Sequence, residues 1–300
     1  MKIVVVGSVA FDNVETPFGK VENVIGGSAT FFSVAASFFA PVAIVAVVGE
    51  DFPKSEIEFL RSRGVDTEGL QIVKGGRSFR WTGRYHEDMN LRDTLDLQFN
   101  VFADFRPSLP ESYRTADICF LSTIHPSLQK SVLGQLARAK LVGADTIPHY
   151  LENNRAELLD LIRGVDVLTV NDEEARLLSG ERNVVVAARK ILAMGPKSLL
   201  VKRGEYGVLH FAPDSVFAVP AYPLEQVFDP TGAGDVFAGG FIGSLAKSGD
   251  FSTKSVRRAI VYGSVMASFV VEDFSLNRLR KLTDDDVEHR YRQFVALTDF

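Results

Sequence analysis

The chain reads as an α/β protein: a three-layer sandwich with a mostly parallel central sheet, and a small β-sheet set apart from it as a lid. Three observations predict this. Short apolar runs rich in valine and isoleucine recur, they alternate with segments of helical period, and two polar, aromatic stretches interrupt the alternation. Uniformly apolar strands separated by helices are the pattern of a parallel sheet covered on both faces.

The apolar runs are Ile3-Val6, Ala43-Val48, Ile118-Leu121, Val165-Val170 and Ser198-Val201. Between them lie Ser28-Phe39, Ser55-Ser62, Leu128-Ala139, Arg155-Ile162 and Val184-Met194, with apolar residues at helical spacing. Near the end, Thr253-Val271 is a further helix, and Thr283 opens a last one with Asp284, Asp285 and Asp286 at its positive end. The interruptions are Asn13-Ile25 and Gln71-Phe102. In the second, Arg80-Trp81-Thr82-Gly83-Arg84-Tyr85 alternates large and polar residues before a turn at His86-Asn90. Both read as strands of a half-exposed sheet, a lid at about 13–25 and 71–102 on one domain spanning 1–300; surface hairpins without function are the alternative.

Composition narrows the function. With 300 residues, 46% hydrophobic and 24% charged, the chain can bury a full core. A net charge of -5 gives no footprint for nucleic acid and no polybasic segment for a membrane surface. Cys119 is the one cysteine, inside an apolar run, and the five histidines form no metal-ligand pattern, so no zinc is expected. No stretch has the length of a membrane span, and the cytoplasm is the expected location.

The stretch that carries chemistry is Asp229-Pro230-Thr231-Gly232-Ala233-Gly234-Asp235, followed by the apolar Val236-Phe237-Ala238. Two glycines flanking alanine let the backbone turn tightly, and the run behind them is helix-like. Free N–H groups at a helix start bind anions. A carboxylate placed there would repel a phosphate, so Asp235 needs a reason, and removing a proton from an attacking hydroxyl supplies one. A plain glycine turn with Asp235 favouring the first helical turn explains the same letters. The string is neither a Gly-x4-Gly-Lys-Ser/Thr loop nor a dinucleotide Gly-x-Gly-x-x-Gly, because Phe237 holds the third glycine position.

Asp229 to Asp235 resembles the C-terminal signature of the ribokinase-like carbohydrate kinases, the PfkB family of sugar and nucleoside kinases, and the likeness extends over nearly the whole chain. The resemblance implies a ribokinase-like fold and an ATP-dependent phosphotransferase with an alcohol acceptor. Gly232, Ala233 and Gly234 would form the anion hole and Asp235 would be the catalytic base. Asp12, after the first strand, would accept hydrogen bonds from acceptor hydroxyls, beside Gly26 and Gly27 at the start of the first long helix. Asn171 and Glu174 match the family's Asn-x-x-Glu pattern for placing Mg2+ and phosphate, Glu174 through water; a helix N-cap at Asn171 explains them equally. Lys202, Gly204 and Gly207 resemble the nucleotide-binding Thr-x-Gly-x-x-Gly turn, with lysine where threonine is usual, and Thr231 adjoins the same nucleotide. Tyr262, Gly263 and Met266 would flank adenine by the same analogy, or are core. A K+ ion near the anion hole is also implied, with Asp229 beside it.

One departure bears on the acceptor. The family writes Gly-Gly-x-x-x-Asn where this chain has Gly26-Gly27-Ser28-Ala29-Thr30-Phe31. Phe31 in the acceptor site would replace a polar partner with an aromatic surface and favour a nucleoside over a free sugar. Alternatively Phe31 points into the core and Arg84 or Asn90 takes the polar contact. The resulting expectation is transfer of the ATP γ-phosphoryl group to a sugar or sugar-like hydroxyl, or to a nucleoside. A non-catalytic binder of the same fold is the rival, and a binder has no use for Asp235. An exposed lid edge suits a homodimer formed by strand pairing.

Overall fold

The computed structural model describes residues 1–299. Its larger sheet has nine strands, in the order β13 (Ser215–Val219), β12 (Val208–Ala212), β11 (Ser198–Lys202), β10 (Val167–Asn171), β9 (Leu141–Asp145), β8 (Ile118–Leu121), β1 (Ile3–Val6), β4 (Val42–Gly49) and β5 (Val65–Val73). From β11 to β5 every pairing is parallel, and β12 and β13 add an antiparallel hairpin at one edge. The smaller sheet has four strands, in the order β3 (Gly19–Gly26), β2 (Ala10–Thr16), β6 (Phe79–Tyr85) and β7 (Arg92–Gln98). Its central pair, β2 with β6, is parallel, and the outer pairs are antiparallel.

Alternation along the buried strands supplies both faces of the larger sheet, because successive side chains point to opposite sides. Ile3, Val5, Ile118 and Phe120 enter one core, and Val4, Val6, Cys119 and Leu121 enter the other. The first core is closed by α1 (Ser28–Ala36), α2 (Lys54–Ser62), α8 (Ala233–Ser248), α9 (Thr253–Val270), α10 (Asn277–Lys281) and α11 (Asp284–Leu297). The second is closed by α3 (Pro126–Leu133), α4 (Pro148–Asn153), α5 (Arg155–Ile162), α6 (Asp172–Ser179) and α7 (Val184–Leu192). This is the α/β sandwich that the apolar runs predict.

The departures are local. Gln71-Val73 belongs to β5 of the larger sheet rather than to the small one, because β5 continues pairing with β4 to its last residue, Val73 opposite Gly49. The helix expected to run to Ala139 ends at Leu133, where Gly134 caps it and the Gln135 side chain turns back to donate to the Pro107 carbonyl. Strands β5, β9, β12 and β13 have no counterpart among the apolar runs read from the sequence. Tyr262 and Met266 are buried where α9 crosses α8. Tyr262 stacks on Tyr291 at 4.4 Å between centroids and donates to Glu288, which gives it the core reading.

Candidate active site

Five adjacent parallel strands, β11, β10, β9, β8 and β1, end at one edge, and each hands over a polar residue there: Lys202, Asn171, Asp145, Ser122 and Ser8. Register keeps them level, with Asn171 opposite Lys202 and Thr169 opposite Asp145. Open α/β sheets bind ligands outside these carboxyl ends. The glycine string lies over the same edge. Gly232 caps α8 with φ 76°, a left-handed conformation that a side chain resists, and the Val236 amide closes the first helical bond on its carbonyl at 2.8 Å. Of the three amides expected in the anion hole, that of Ala233 donates to the Pro230 carbonyl at 3.1 Å. The amides of Gly234 and Asp235 lie in the first turn, where no intrahelical acceptor exists.

A side-chain cation stands beside these donors. A β-carbon on Gly234 would be 2.9 Å from Lys202 Nζ, so the ammonium stands directly against the glycine. Asp145 anchors it, Nζ to Oδ2 at 2.9 Å; burial alone would lower the Lys202 pKa, but the charges of Asp145 and Glu174 outweigh it, so the pKa is raised and the ammonium stays protonated. Asp145 is itself pinned, its Oδ1 accepting from the Thr146 amide at 2.8 Å.

Asp235 sits in the first turn of α8. Burial, and then the negative charge of Asp145, push its pKa up to about 7, while Lys202, a 3.4 Å hydrogen bond from Ser122 and Arg92 oppose the rise. Across the site, burial and the charges of Asp229 and Asp235 push Asp12 up to about 8. Gly26 lets Asp12 in: a β-carbon there would stand 1.8 Å from its carboxylate oxygen. Asn171 and Glu174 form a reciprocal cap, Asn171 Oδ1 accepting from the Glu174 amide at 2.7 Å and Glu174 Oε2 accepting from the Asn171 amide at 2.8 Å. Glu174 is only 4% exposed, and burial pushes it up to about 7 despite Lys202. The capping reading therefore holds, and a buried carboxylate is left facing the lysine.

The smaller sheet closes over this floor. Thr231 Oγ1 donates to Tyr85 Oη at 3.2 Å. At the tip of the β6–β7 hairpin, Asn90 abuts the turn after β11: a β-carbon on Gly204 would stand 2.0 Å from Asn90 Oδ1. That turn is closed by the Arg203 amide on the Gly207 carbonyl at 2.8 Å. Arg92, opposite Tyr85 in the sheet register, carries positive charge toward Asp12, Asp235 and Glu174.

Two sequence expectations change. Phe31 is 2% exposed and lies under the anion hole, where a β-carbon on Gly232 would be 2.5 Å from its ring; it packs behind the motif and offers no surface to an acceptor. Arg84 does not take over its polar role, because it points outward to pair with Glu15, Nε to Oε1 at 3.0 Å. Asp229 works as a brace. Its two oxygens accept the amides of Thr231 at 2.9 Å and Ser275 at 3.1 Å, tying the motif to the segment after α9. Among the described residues no group of three or more His, Cys, Asp or Glu could hold a metal ion by itself. Sequence reasoning missed Asp145, Tyr85 and Arg92. Gly143 hides β9 and hence Asp145, while Tyr85 and Arg92 lie in lid segments that name no partner.

Comparison with known proteins identifies the family. The family model described as pfkB family carbohydrate kinase matches residues 1–281. The cytidine kinase of Thermococcus kodakarensis is 33% identical over 82% of this chain and 89% of its own. The nucleoside kinase of Methanothermobacter thermautotrophicus is 27% identical over 90% and 89%. A structure from E. coli, described provisionally as ribokinase II in complex with ATP and Mg2+, superposes with a TM-score of 0.80 at 20% identity, covering 97% of this chain and 99% of that one. The chain thus belongs to the pfkB family of carbohydrate kinases, as an ATP-dependent phosphotransferase that acts on an alcohol group of a sugar or sugar-like molecule.

Proposed function

We propose that the acceptor is a nucleoside, whose sugar hydroxyl attacks the γ-phosphoryl group of ATP while Asp235 takes its proton. The observation that carries the chemistry is Asp235 itself: a carboxyl brought to about 7 by burial, at a helix start, beside an ammonium fixed against Gly234. A base poised near neutrality is ionised often enough to act and basic enough to accept. The amides of Gly234 and Asp235 and the Lys202 ammonium are set to stabilise charge on the moving phosphoryl group, and positioning with electrostatics is most of what phosphoryl transfer requires. Asp12 is suited to hold two neighbouring hydroxyls, its carboxyl accepting from one and, while protonated, donating its O–H to the other. Gly26 and Gly27 make room for it, and Gly204, Gly207 and Thr231 border the nucleotide.

The donor set suits Mg2+ without a dedicated cage. Mg2+ is usually held by one or two carboxylates, water and substrate phosphates, and Glu174, buried and facing Lys202, is the carboxylate to reach it through water. When bound, the ion neutralises charge between the phosphates. A K+ ion near Asp229 rests on the family resemblance alone.

The smaller sheet acts as a lid on one catalytic domain. Tyr85 and Asn90 close on Thr231 and Gly204, which excludes water as a competing acceptor. Leu95 and Leu97 on its exposed edge strand β7 suit a homodimer through paired lids. No described helix is long and apolar enough to cross a membrane, and the cytoplasm suits an enzyme that draws on ATP. The acidic balance leaves a small molecule as partner, with neither nucleic acid nor membrane.

The nucleoside assignment is supported by the relatives named for cytidine and nucleoside. A coupled ADP-release assay with cytidine, adenosine, ribose, fructose and myo-inositol tests it. A nucleoside should give the highest kcat/KM, and preference for a free sugar by tenfold or more would overturn it.

A further inference from the structure

With Phe31 in the core, the acceptor site needs another explanation for how it would tell a nucleoside from a sugar. Trp81 on β6 supplies one. Tyr85, four residues further along the strand, lies on the same face and reaches Thr231, so that face of β6 is turned toward the glycine motif. Trp81 is paired in register with Asp12 across the parallel β2–β6 ladder, which sets both side chains on one side of the sheet, on strands about 4.8 Å apart.

The indole is held before any ligand arrives. It lies across Gly83, where a β-carbon would be 2.1 Å from the ring, and its N–H donates to Thr94 Oγ1 at 3.1 Å. Any larger residue than glycine at position 83 would lift the ring. Its other contact is a flat cation: the Arg92 guanidinium stands 5.5 Å from the ring centroid. The ring is thus already approached by one planar, polarisable group, the kind of neighbour a flat heterocycle would replace. Trp81 is only partly buried, so it has surface to offer.

We infer that Trp81 is the specificity-determining residue for the acceptor: its indole is the platform for the flat heterocycle of a nucleoside, while Asp12 beside it holds the sugar hydroxyls. This rests on the nucleoside reading above and adds the residue that enforces it. A free sugar satisfies Asp12 and leaves the platform idle. Stacking of a base on an aromatic side chain corresponds to about 10- to 100-fold in binding when the aromatic is removed.

Trp81 is the chain's one tryptophan, so its emission reports this contact directly. Cytidine should quench wild-type emission in a saturable way with a midpoint matching its KM, and ribose should not. Trp81→Ala should lower kcat/KM for cytidine about 10- to 100-fold, mostly through KM, and change that for ribose less than about threefold. Trp81→Phe should restore most of the loss. A wild-type protein that phosphorylates cytidine yet shows no quenching, or whose cytidine-to-ribose ratio survives Trp81→Ala, overturns the platform alone. A wild-type protein that phosphorylates ribose and no nucleoside overturns the nucleoside reading, and the platform with it. If Trp81→Ala does not fold, the quenching titration and Trp81→Phe still decide.

Discussion

The two sheets of this molecule are made from strands of similar length and do opposite work. Every residue of β1, β4, β8 and β9 is buried, between two helical layers, whereas all seven residues of β7 are exposed. A strand packed on both faces cannot shift without opening two cores, so the residues at its end are fixed to within the packing. A strand with one free face and a free edge has few contacts to lose, and such elements supply the parts that open. The division matches the chemistry. The groups proposed for phosphoryl transfer, Asp235 and Lys202 with Asp145 anchoring the lysine, stand on the packed side. Tyr85, Trp81 and Arg92, on the exposed sheet, meet the site from above. Asp12 stands at the boundary between them, buried on β2, the strand of the smaller sheet that is mostly buried.

If the packed side does chemistry and the exposed side does selection, the largest effect should come from the packed side and fall on kcat. Asp235→Asn keeps shape and removes basicity. Turnover should drop about 10²- to 10⁴-fold, with the ATP KM moved less than threefold. In the wild type, kcat/KM should rise with pH through an apparent pKa near 7, because the base acts only when ionised and its pKa is about 7. A variant with near-normal turnover, or a flat profile between pH 6 and 8, would remove Asp235 as the base.

The same contrast explains what sequence made legible. β1, β4, β8, β10 and β11 announce themselves because a strand buried on both faces is apolar at nearly every inner position, Thr169 of β10 being the exception. β9 has the same surroundings but reads Leu141-Val142-Gly143-Ala144-Asp145. Gly143 is there because the Phe120 ring occupies the space of its β-carbon, 2.7 Å away, a requirement set by a strand 23 residues distant. Losing β9 meant losing Asp145 at its end, although the lysine it anchors was found. β12 (Val208-Leu209-His210-Phe211-Ala212) and β13 (Ser215-Val216-Phe217-Ala218-Val219) are nearly as apolar, but they form an antiparallel hairpin with no helix between them and so fall outside the strand–helix alternation. The glycine motif was legible because anion binding constrains consecutive residues. Phe31 was not, because a phenylalanine in the first turn of α1 can face either the site or the core, and only Gly232 packing over it decides. The lid could be read as a half-exposed sheet, but its parallel β2–β6 pairing, which puts Asp12 beside Trp81, joins segments some 70 residues apart.

Asp12, at the boundary, should show a mixed and smaller effect. Its native pKa is about 8, against about 3.9 in an unfolded chain. Below pH 4 both states hold the proton and nothing is lost. Between pH 4 and 8 the unfolded chain releases a proton that the native state keeps, so stability falls as pH rises. Asparagine has no proton to release. The Tm of Asp12→Asn minus that of wild type should therefore be near zero at pH 4 and positive by several degrees at pH 8, while the acceptor KM rises about tenfold. Melts that differ by the same amount at every pH would mean that Asp12 is not held protonated by burial.

The smallest effect belongs to the exposed sheet, and two neighbours on β6 sharpen it. Tyr85 points in and meets Thr231 at 3.2 Å, whereas Arg84 points out and pairs with Glu15 at the surface. Tyr85→Phe removes one hydroxyl and leaves the ring in place. A net hydrogen bond contributes about 0.5–1.5 kcal/mol, so closure should weaken by about 2- to 12-fold. Because closure precedes chemistry, the loss should fall on the acceptor KM, with kcat within twofold and Tm unchanged. Arg84→Ala breaks an ion pair in high dielectric, where such pairs contribute roughly 0–1 kcal/mol, and the ion pair has no path to the acceptor. Its kcat and KM should match wild type. Measured side by side, equal effects from the two substitutions would mean that the inner face of β6 has no privileged contact with the motif. A kcat loss in Tyr85→Phe approaching that of Asp235→Asn would break the division itself, since the exposed sheet would then be taking part in the chemical step.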